Sequence, residues 1–246
     1  MLYISKIFLR NLDGYEDEYW ADLPVVHQLL TDGGIEFTTP VTFLIGENGI
    51  GKSTLIEALA VNYGFNPEGG SRNFNYHSND THSSLSEAIT VAKTHMAARD
   101  GYFLRAESIY GVQSYIDNIA GGDYNFYEQY GGKSLHLRSH GEAFLTLVQT
   151  RFRGKGLYIL DEPESALSPS RLMTMMARMK QLVDDDSQFI ISTHSPILMT
   201  YPGARILQLD MNGATEVTYH ETDHYMMTKY FLNNTEQMLK ELGITE

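Results

Sequence analysis

A compact, largely apolar run, VTFLI at 41–45, leads directly into GENGIGKST at 46–54, and a helix-forming stretch follows. Gly46, Gly51, Lys52 and Ser53 satisfy G-x-x-x-x-G-K-[ST], with the strand before and the helix after that this spacing requires. A phosphate-binding turn of this kind belongs to α/β structure, in which parallel strands alternate with helices. Glycine lets successive backbone N–H groups curl around phosphate oxygens, and the helix beyond offers its positive end. Lys52 is expected to reach the β- and γ-phosphates, Ser53 to coordinate Mg²⁺ and Thr54 to bond the α-phosphate. Glu47, Asn48, Gly49 and Ile50 complete the loop. A nucleoside triphosphate with Mg²⁺ is the expected ligand.

Two later strand ends supply the rest of such a site. GLYILDEPESALSP (156–169) is an apolar strand closing on carboxylates. Asp161 is placed to hold Mg²⁺ and Glu162 to deprotonate the attacking water. Glu164 is a second candidate base, because Pro163 bends the backbone between them. FIISTHSP (189–196) brings His194 to the same rim, where it can sense a terminal phosphate. In the alternative reading Thr193 or Ser195 caps a short helix starting at Pro196, and His194 is a bystander.

HLRSHGEAFL (136–145) also has two readings. Ser139 and Glu142 form a capping box, and Phe144, Leu147, Val148 and Phe152 give the following helix its buried face. A capped helix start is at the same time an anion site, with free N–H groups and a positive dipole end.

The remaining text fills in one α/β domain over 1–246, with polar stretches near 64–83 and 119–134 expected as surface loops. Strands are expected at Leu2–Leu9, Ile35–Thr39, Tyr102–Ala106, Arg205–Leu209 and Glu216–Tyr219. Helices are expected at Val25–Leu30, Lys52–Tyr63, Ser84–Ala98, Gly141–Phe152 and Pro169–Val183, with two short ones at the end. Leu172, Met176, Met179 and Val183 share a face, so the methionine-rich run reads as core. Trp20, Tyr124, Tyr127 and Tyr130 are open to stacking on a base or a partner. His220–His224 matches H-E-x-x-H, but a helix starting near Thr222 or Asp223 separates the two imidazoles, so no zinc site is expected.

Bulk properties exclude several classes. No apolar run approaches the ~20 residues of a membrane span. With no cysteine there are neither disulfides nor thiolate metal sites, and the expected location is the cytoplasm. A net charge of −13 disfavours a broad nucleic-acid-binding surface, although local clusters such as Arg151, Arg153 and Lys155 leave a small one open.

The order GENGIGKST, SHGE, YILDEPESALSP, STHSP resembles the ABC-type ATPase heads of the non-transporter branch. The likeness is to stand-alone AAA-annotated ATPases related to SMC, RecF and overcoming-lysogenization-type heads, and it spans most of the chain. It implies a P-loop NTPase fold with a mostly parallel central sheet, an N-terminal β-rich part and a helical signature subdomain. It further implies an ATP-dependent homodimer around two ATP molecules, in which Ser139 and Gly141 serve the partner's nucleotide. Glu162 would be the catalytic glutamate, His194 the switch histidine, and Glu107 in FLRAES a metal contact at the Q-loop position. Glutamate replaces glutamine there, and Gln113 is the rival. The signature departs from LSGGQ at Arg138 and His140, and Ser168 stands where transporters carry aspartate.

The leading expectation is an ATP-hydrolysing switch acting on a protein effector or on nucleic acid, in defence or DNA maintenance. The alternatives are the nucleotide-binding subunit of a membrane transporter and a P-loop kinase for a small molecule.

Overall fold

The computed structural model describes residues 1–72 and 83–244. In chain order its strands and helices are β1 (Ile4–Leu9), α1 (Pro24–Thr31), β2 (Ile35–Glu36), β3 (Val41–Gly46), α2 (Lys52–Tyr63), α3 (Leu85–Ala88), β4 (Ile89–Lys93), β5 (Asp100–Arg105) and α4 (Ile109–Ala120). There follow α5 (Tyr124–Tyr127), α6 (His140–Thr150), β6 (Gly156–Asp161), α7 (Pro169–Asp184), β7 (Gln188–Ser192), β8 (Arg205–Asp210), β9 (Gly213–Val217), α8 (Asp223–Asn233) and α9 (Thr235–Glu241).

Six strands form the central sheet in the order β5-β6-β7-β3-β8-β9, parallel throughout except for β9. Period-two alternation sends Phe43, Tyr102, Tyr158 and Phe189 into a core shared with α4, α6 and α7. It sends Leu44, Phe103, Ile159 and Ile190 into a second core with α1 and α2. A small antiparallel sheet, β2-β1-β4, completes the N-terminal side, and α2 packs between the two sheets. The buried Gln188 amide ties them together: Oε1 accepts from the N–H groups of Tyr3 and Ile4 at 2.7 and 2.9 Å, while Nε2 donates to Ile4 O at 2.9 Å.

Several sequence expectations need correction. The helix expected over Ser84–Ala98 is a single turn, α3, followed by β4, which pairs with β1 from Leu9↔Ile89 onward. The β-branched trio Ile89, Thr90 and Val91 suits a pleated surface better than a helix. α4 was not expected at all, although Ile109, Val112, Ile116 and Ala120 bury one helical face. In the stretch expected as a surface loop, Phe65, Asn66 and residues 69–71 are buried. Gly70 exchanges two backbone hydrogen bonds with Phe103 there, at 2.7 and 3.0 Å; residues 73–82 lie outside the described residues. Residues 119–134 contain α5 and a 3-10 turn whose Tyr130 is buried.

Trp20 belongs to the core, fully buried, with its indole N–H donating to Ser84 Oγ at 2.9 Å. On α7 the buried stripe is Leu172, Met175, Met179 and Leu182, rotated from the expected face, with Met176 and Val183 only partly covered. Arg151, one of the basic clusters, is paired with Asp100 at 3.2 Å instead of facing solvent. Among the described residues no helix is long and apolar enough to cross a membrane.

Candidate functional site

β5, β6 and β7 end at one level, Arg105 beside Asp161 and Asp161 beside Ser192, and β3 runs two residues past it, since Leu44 pairs with Ser192 and the strand ends at Gly46. Ligands of open parallel sheets bind at such carboxyl ends. Gly46 leaves β3 with φ 142°, and a Cβ there would lie 2.4 Å from Leu209 O, so only glycine fits. Glu47, Asn48 and Gly49 are exposed, Ile50, Ser53 and Thr54 half-buried, and Gly51 and Lys52 buried at the start of α2. Lys52 Nζ donates to Gly46 O and Glu47 O at 2.9 and 2.8 Å, which holds the ammonium against the loop. Burial pushes its pKa down, while Glu162, Asp161 and Glu164 pull it back.

Asp161 is buried among partners. Its Oδ1 accepts from Ser53 Oγ at 3.1 Å and from Ser192 Oγ, and its Oδ2 lies 3.5 Å from Arg105 Nε. Arg105 also spans Glu57 and Glu107, each at 2.5 Å. Glu162 follows with φ 47°, a left-handed conformation that costs a non-glycine residue about 1–2 kcal/mol and is typical of working sites. Its N–H is shared between Ser192 O and Oγ at 3.2 and 3.1 Å. The Glu162 carboxylate lies 3.6 Å from His194 Nε2 and accepts from Ser165 Oγ at 3.4 Å. Glu164 turns away from this hollow: it accepts from Thr193 Oγ1 at 2.8 Å and from the His194 N–H, and burial pushes its carboxyl pKa up.

Two hollows meet at Ser53 and Glu162. One, of about 310 Å³, is lined by Arg105, Glu107, His140 and Asp161 together with those two. The other, of about 280 Å³, is lined by the loop residues and by Tyr19, whose ring is 68% exposed. Gln113 is buried on α4, so Glu107 is the residue of that pair on the rim. The 3-10 turn after β7 starts at Leu198, not Pro196, and its N-cap position Ile197 has no side-chain cap; Ser195 Oγ accepts from the Leu198 N–H at 3.4 Å, and the His194 ring faces Glu162.

Ser139 forms the full capping box with Glu142, at 2.9 and 3.3 Å, and stays exposed. Gly141 is buried, and a Cβ on it would lie 2.5 Å from Ala166 O, so the start of α6 is docked on the loop that follows Glu162. Sequence reasoning missed Tyr19, Arg105 and His224. Tyr19 and Arg105 lie in no spacing pattern, and His224 lies only in the zinc-like H-E-x-x-H; each takes its place here only when distant elements meet at the rim. His224 Nε2 lies 2.8 Å from His194 Nδ1, whereas His220 packs against the Tyr225 ring.

The oxygen donors Ser53 Oγ and the Asp161 carboxylate, with Glu107 close by, suit a hard cation such as Mg²⁺. Among the described residues no three His, Cys, Asp or Glu side chains cluster as a complete metal site. A Mg²⁺ here would therefore rely on phosphate and water oxygens for its remaining positions.

Burial, with Lys52 and His224 nearby, lowers the His194 pKa from 6.5 to about 4. The unfolded chain therefore takes up a proton near pH 6.5 that the folded chain refuses until about pH 4. His194 makes stability fall as pH drops through that window. His194→Gln should flatten this fall, read as a smaller difference in urea midpoint between pH 7 and pH 5.

A mostly parallel sheet with a glycine-rich loop on its central strand and an acidic strand end two strands away is the P-loop NTPase fold in the arrangement of ABC-ATPase heads. A family model described as "AAA domain" matches residues 27–158, and another, "AAA domain, putative AbiEii toxin, Type IV TA system", matches residues 142–200. The chain belongs to the AAA-domain family. A curated relative, the guanosine import ATP-binding protein NupO of Bacillus subtilis (strain 168), is 28% identical over an alignment of 162 residues that covers 60% of this chain. The match spans about a third of that relative's length (31%). Among solved structures, an ABC transporter of metal-chelate type in an inward-facing conformation shares 17% identity at a TM-score of 0.50, covering 94% of this chain and 89% of that one. The SMC head domain from Thermotoga maritima shares 17% identity at a TM-score of 0.39, covering 75% and 92%. The likeness at a TM-score of 0.50 is one of fold alone.

Proposed function

We propose that the chain is a single ABC-type head that binds ATP with Mg²⁺ at this rim and hydrolyses it. The carrying observation is that Lys52, Ser53, Asp161 and Glu162 converge on one rim while Glu164 is tied to the end of β7. The backbone of Gly46–Thr54 cradles the phosphates, with Lys52 neutralising the β- and γ-oxygens. Tyr19 offers a ring on which the base stacks. Ser53, Asp161 and Glu107 present oxygens to Mg²⁺, which polarises the terminal phosphate when bound. Glu162 takes the proton from the attacking water, and His194 orients that carboxylate and the terminal phosphate.

Hydrolysis in this reading takes place within a pair of copies. The exposed, capped start of α6 has free N–H groups suited to a partner's phosphate. Gly141 seats that helix on the loop after Glu162, so closure of the pair reaches the base directly. The pair acts as a switch on a protein effector or a nucleic-acid process, in the cytoplasm. The transporter-subunit reading draws on the names of two of the similar proteins. The departures at Arg138, His140 and Ser168 weigh against it.

Ser139→Arg tests the paired site. ATP binding by fluorescent-analogue titration should stay near wild type, while the ATP-induced dimer is lost in light scattering and phosphate release falls with it. A variant that still dimerises and hydrolyses at the wild-type rate would remove α6 from the mechanism.

A further inference from the structure

The end of β7 and the C-terminal helix α8 meet through two imidazoles. His194 Nδ1 and His224 Nε2 are 2.8 Å apart, with ring centroids at 5.0 Å. On the other side of the His194 ring, Nε2 is buried without a hydrogen-bond partner and points toward Glu162 Oε1 at 3.6 Å. Burial lowers the pKa of both rings, so both are neutral at pH 7 and one must donate to the other.

The direction of that bond follows from the far side of the ring. A carboxylate oxygen only accepts, so a bare Nε2 lone pair facing Glu162 would be repelled, whereas Nε2–H is attracted. Nδ1 of His194 is then the acceptor, and the proton between the rings sits on Nε2 of His224. We propose that His224 is the positioning residue of this site: its Nε2–H holds His194 in the Nε2–H tautomer, aimed at Glu162 and the terminal phosphate.

This rests on the reading of the rim as an ATPase site, and it adds a residue 30 positions downstream that none of the nucleotide-site motifs contains. It also draws the C-terminal helix into the site. α8 is anchored at its start by the fully buried Thr222, whose Oγ1 accepts from the Tyr225 N–H at 3.3 Å, yet it buries none of its own residues completely. The same helix lines a groove with Gly46, Glu47 and Ile50 of the phosphate loop. The chain Glu162–His194–His224 therefore joins the base to an element held by few buried contacts.

The test uses the full chain labelled with ¹⁵N-histidine, followed by two-bond nitrogen–proton correlation spectra without nucleotide. His194 should show a protonated Nε2 and an accepting Nδ1 in the wild type, and a mixture of tautomers in His224→Ala. His224→Gln, whose amide N–H can take the donor's place, should restore the Nε2–H form. In parallel, kcat for ATP should fall about tenfold in His224→Ala, the scale of losing an orienting partner. KM should be unchanged, and His224→Gln should recover most of the loss. A wild-type His194 spectrum in His224→Ala would overturn the positioning role, as would equal loss of kcat in both variants. If the spectra behave as expected but no variant and no wild type hydrolyses ATP, the pairing stands and the ATPase reading fails.

Discussion

Glu162→Gln is expected to keep ATP bound and to lower phosphate release by about 10²–10⁴-fold, the usual contribution of a general base. The amide matches the carboxylate in shape but cannot take up the water's proton. Affinity should stay near wild type, because the cradle of Gly46–Thr54 and the Ser53–Asp161 pair are untouched. Glu164 cannot take over, since both its oxygens are occupied by Thr193 Oγ1 and the His194 N–H. With ATP and Mg²⁺ the variant should accumulate as a long-lived dimer in light scattering. A wild-type rate of phosphate release would place the base elsewhere. A variant that remains monomeric under those conditions would sink the paired mechanism while leaving Glu162 as the base.

Arg105→Ala should produce the largest loss of stability. The guanidinium joins Glu57, Glu107 and Asp161, and both Glu57 and Asp161 are largely withdrawn from solvent, at 14% and 6% side-chain exposure. Removing one member of a buried ionic group leaves its partners uncompensated, at a cost of roughly 3 kcal/mol. For a domain of this size each kcal/mol lowers the thermal midpoint by about 2–4 °C, so a fall of about 10 °C is expected. Arg105→Lys should recover only part of it, because a point ammonium cannot span three carboxylates as the planar fork does. A midpoint within ~2 °C of wild type, inside the range of an ordinary surface substitution, would show that the carboxylates find water instead.

The parts of this molecule that could be read from the sequence were those where local rules and global fold agree. The strand–loop–helix at 41–63 and the acidic strand end at Asp161 carry their chemistry in adjacent residues. The helix that HLRSHGEAFL opens carries its capping box in those letters and its buried face from Phe144 through Val148, and both are present in the fold. The close approach of Gly141 to Ala166 O adds why the helix begins where it does.

What escaped reading depended on partners far away in the chain. β4 is a strand because β1 is there to pair with it, and the preceding SLSEA suggested a helix that lasts one turn. α4 was obscured by its own Gly111 and by the glycine-rich text after it, although its apolar spacing is regular. DEPES puts Glu162 first as the base and leaves Glu164 open; what it does not carry is the left-handed Glu162 backbone and the capture of the Glu164 carboxylate at the end of β7. His224 entered only as half of a zinc-like pattern, and its actual neighbour is the ring of His194.

The two hydrogen bonds between Gly70 and Phe103 have a meaning apart from nucleotide chemistry. β5 is the outermost strand of the central sheet on that side, and its unpaired backbone groups would otherwise form a template for any passing extended chain. The segment at 69–71 lies along this edge and occupies it at its middle. That clasp leaves less of an apolar strand edge open to edge-to-edge pairing with another chain.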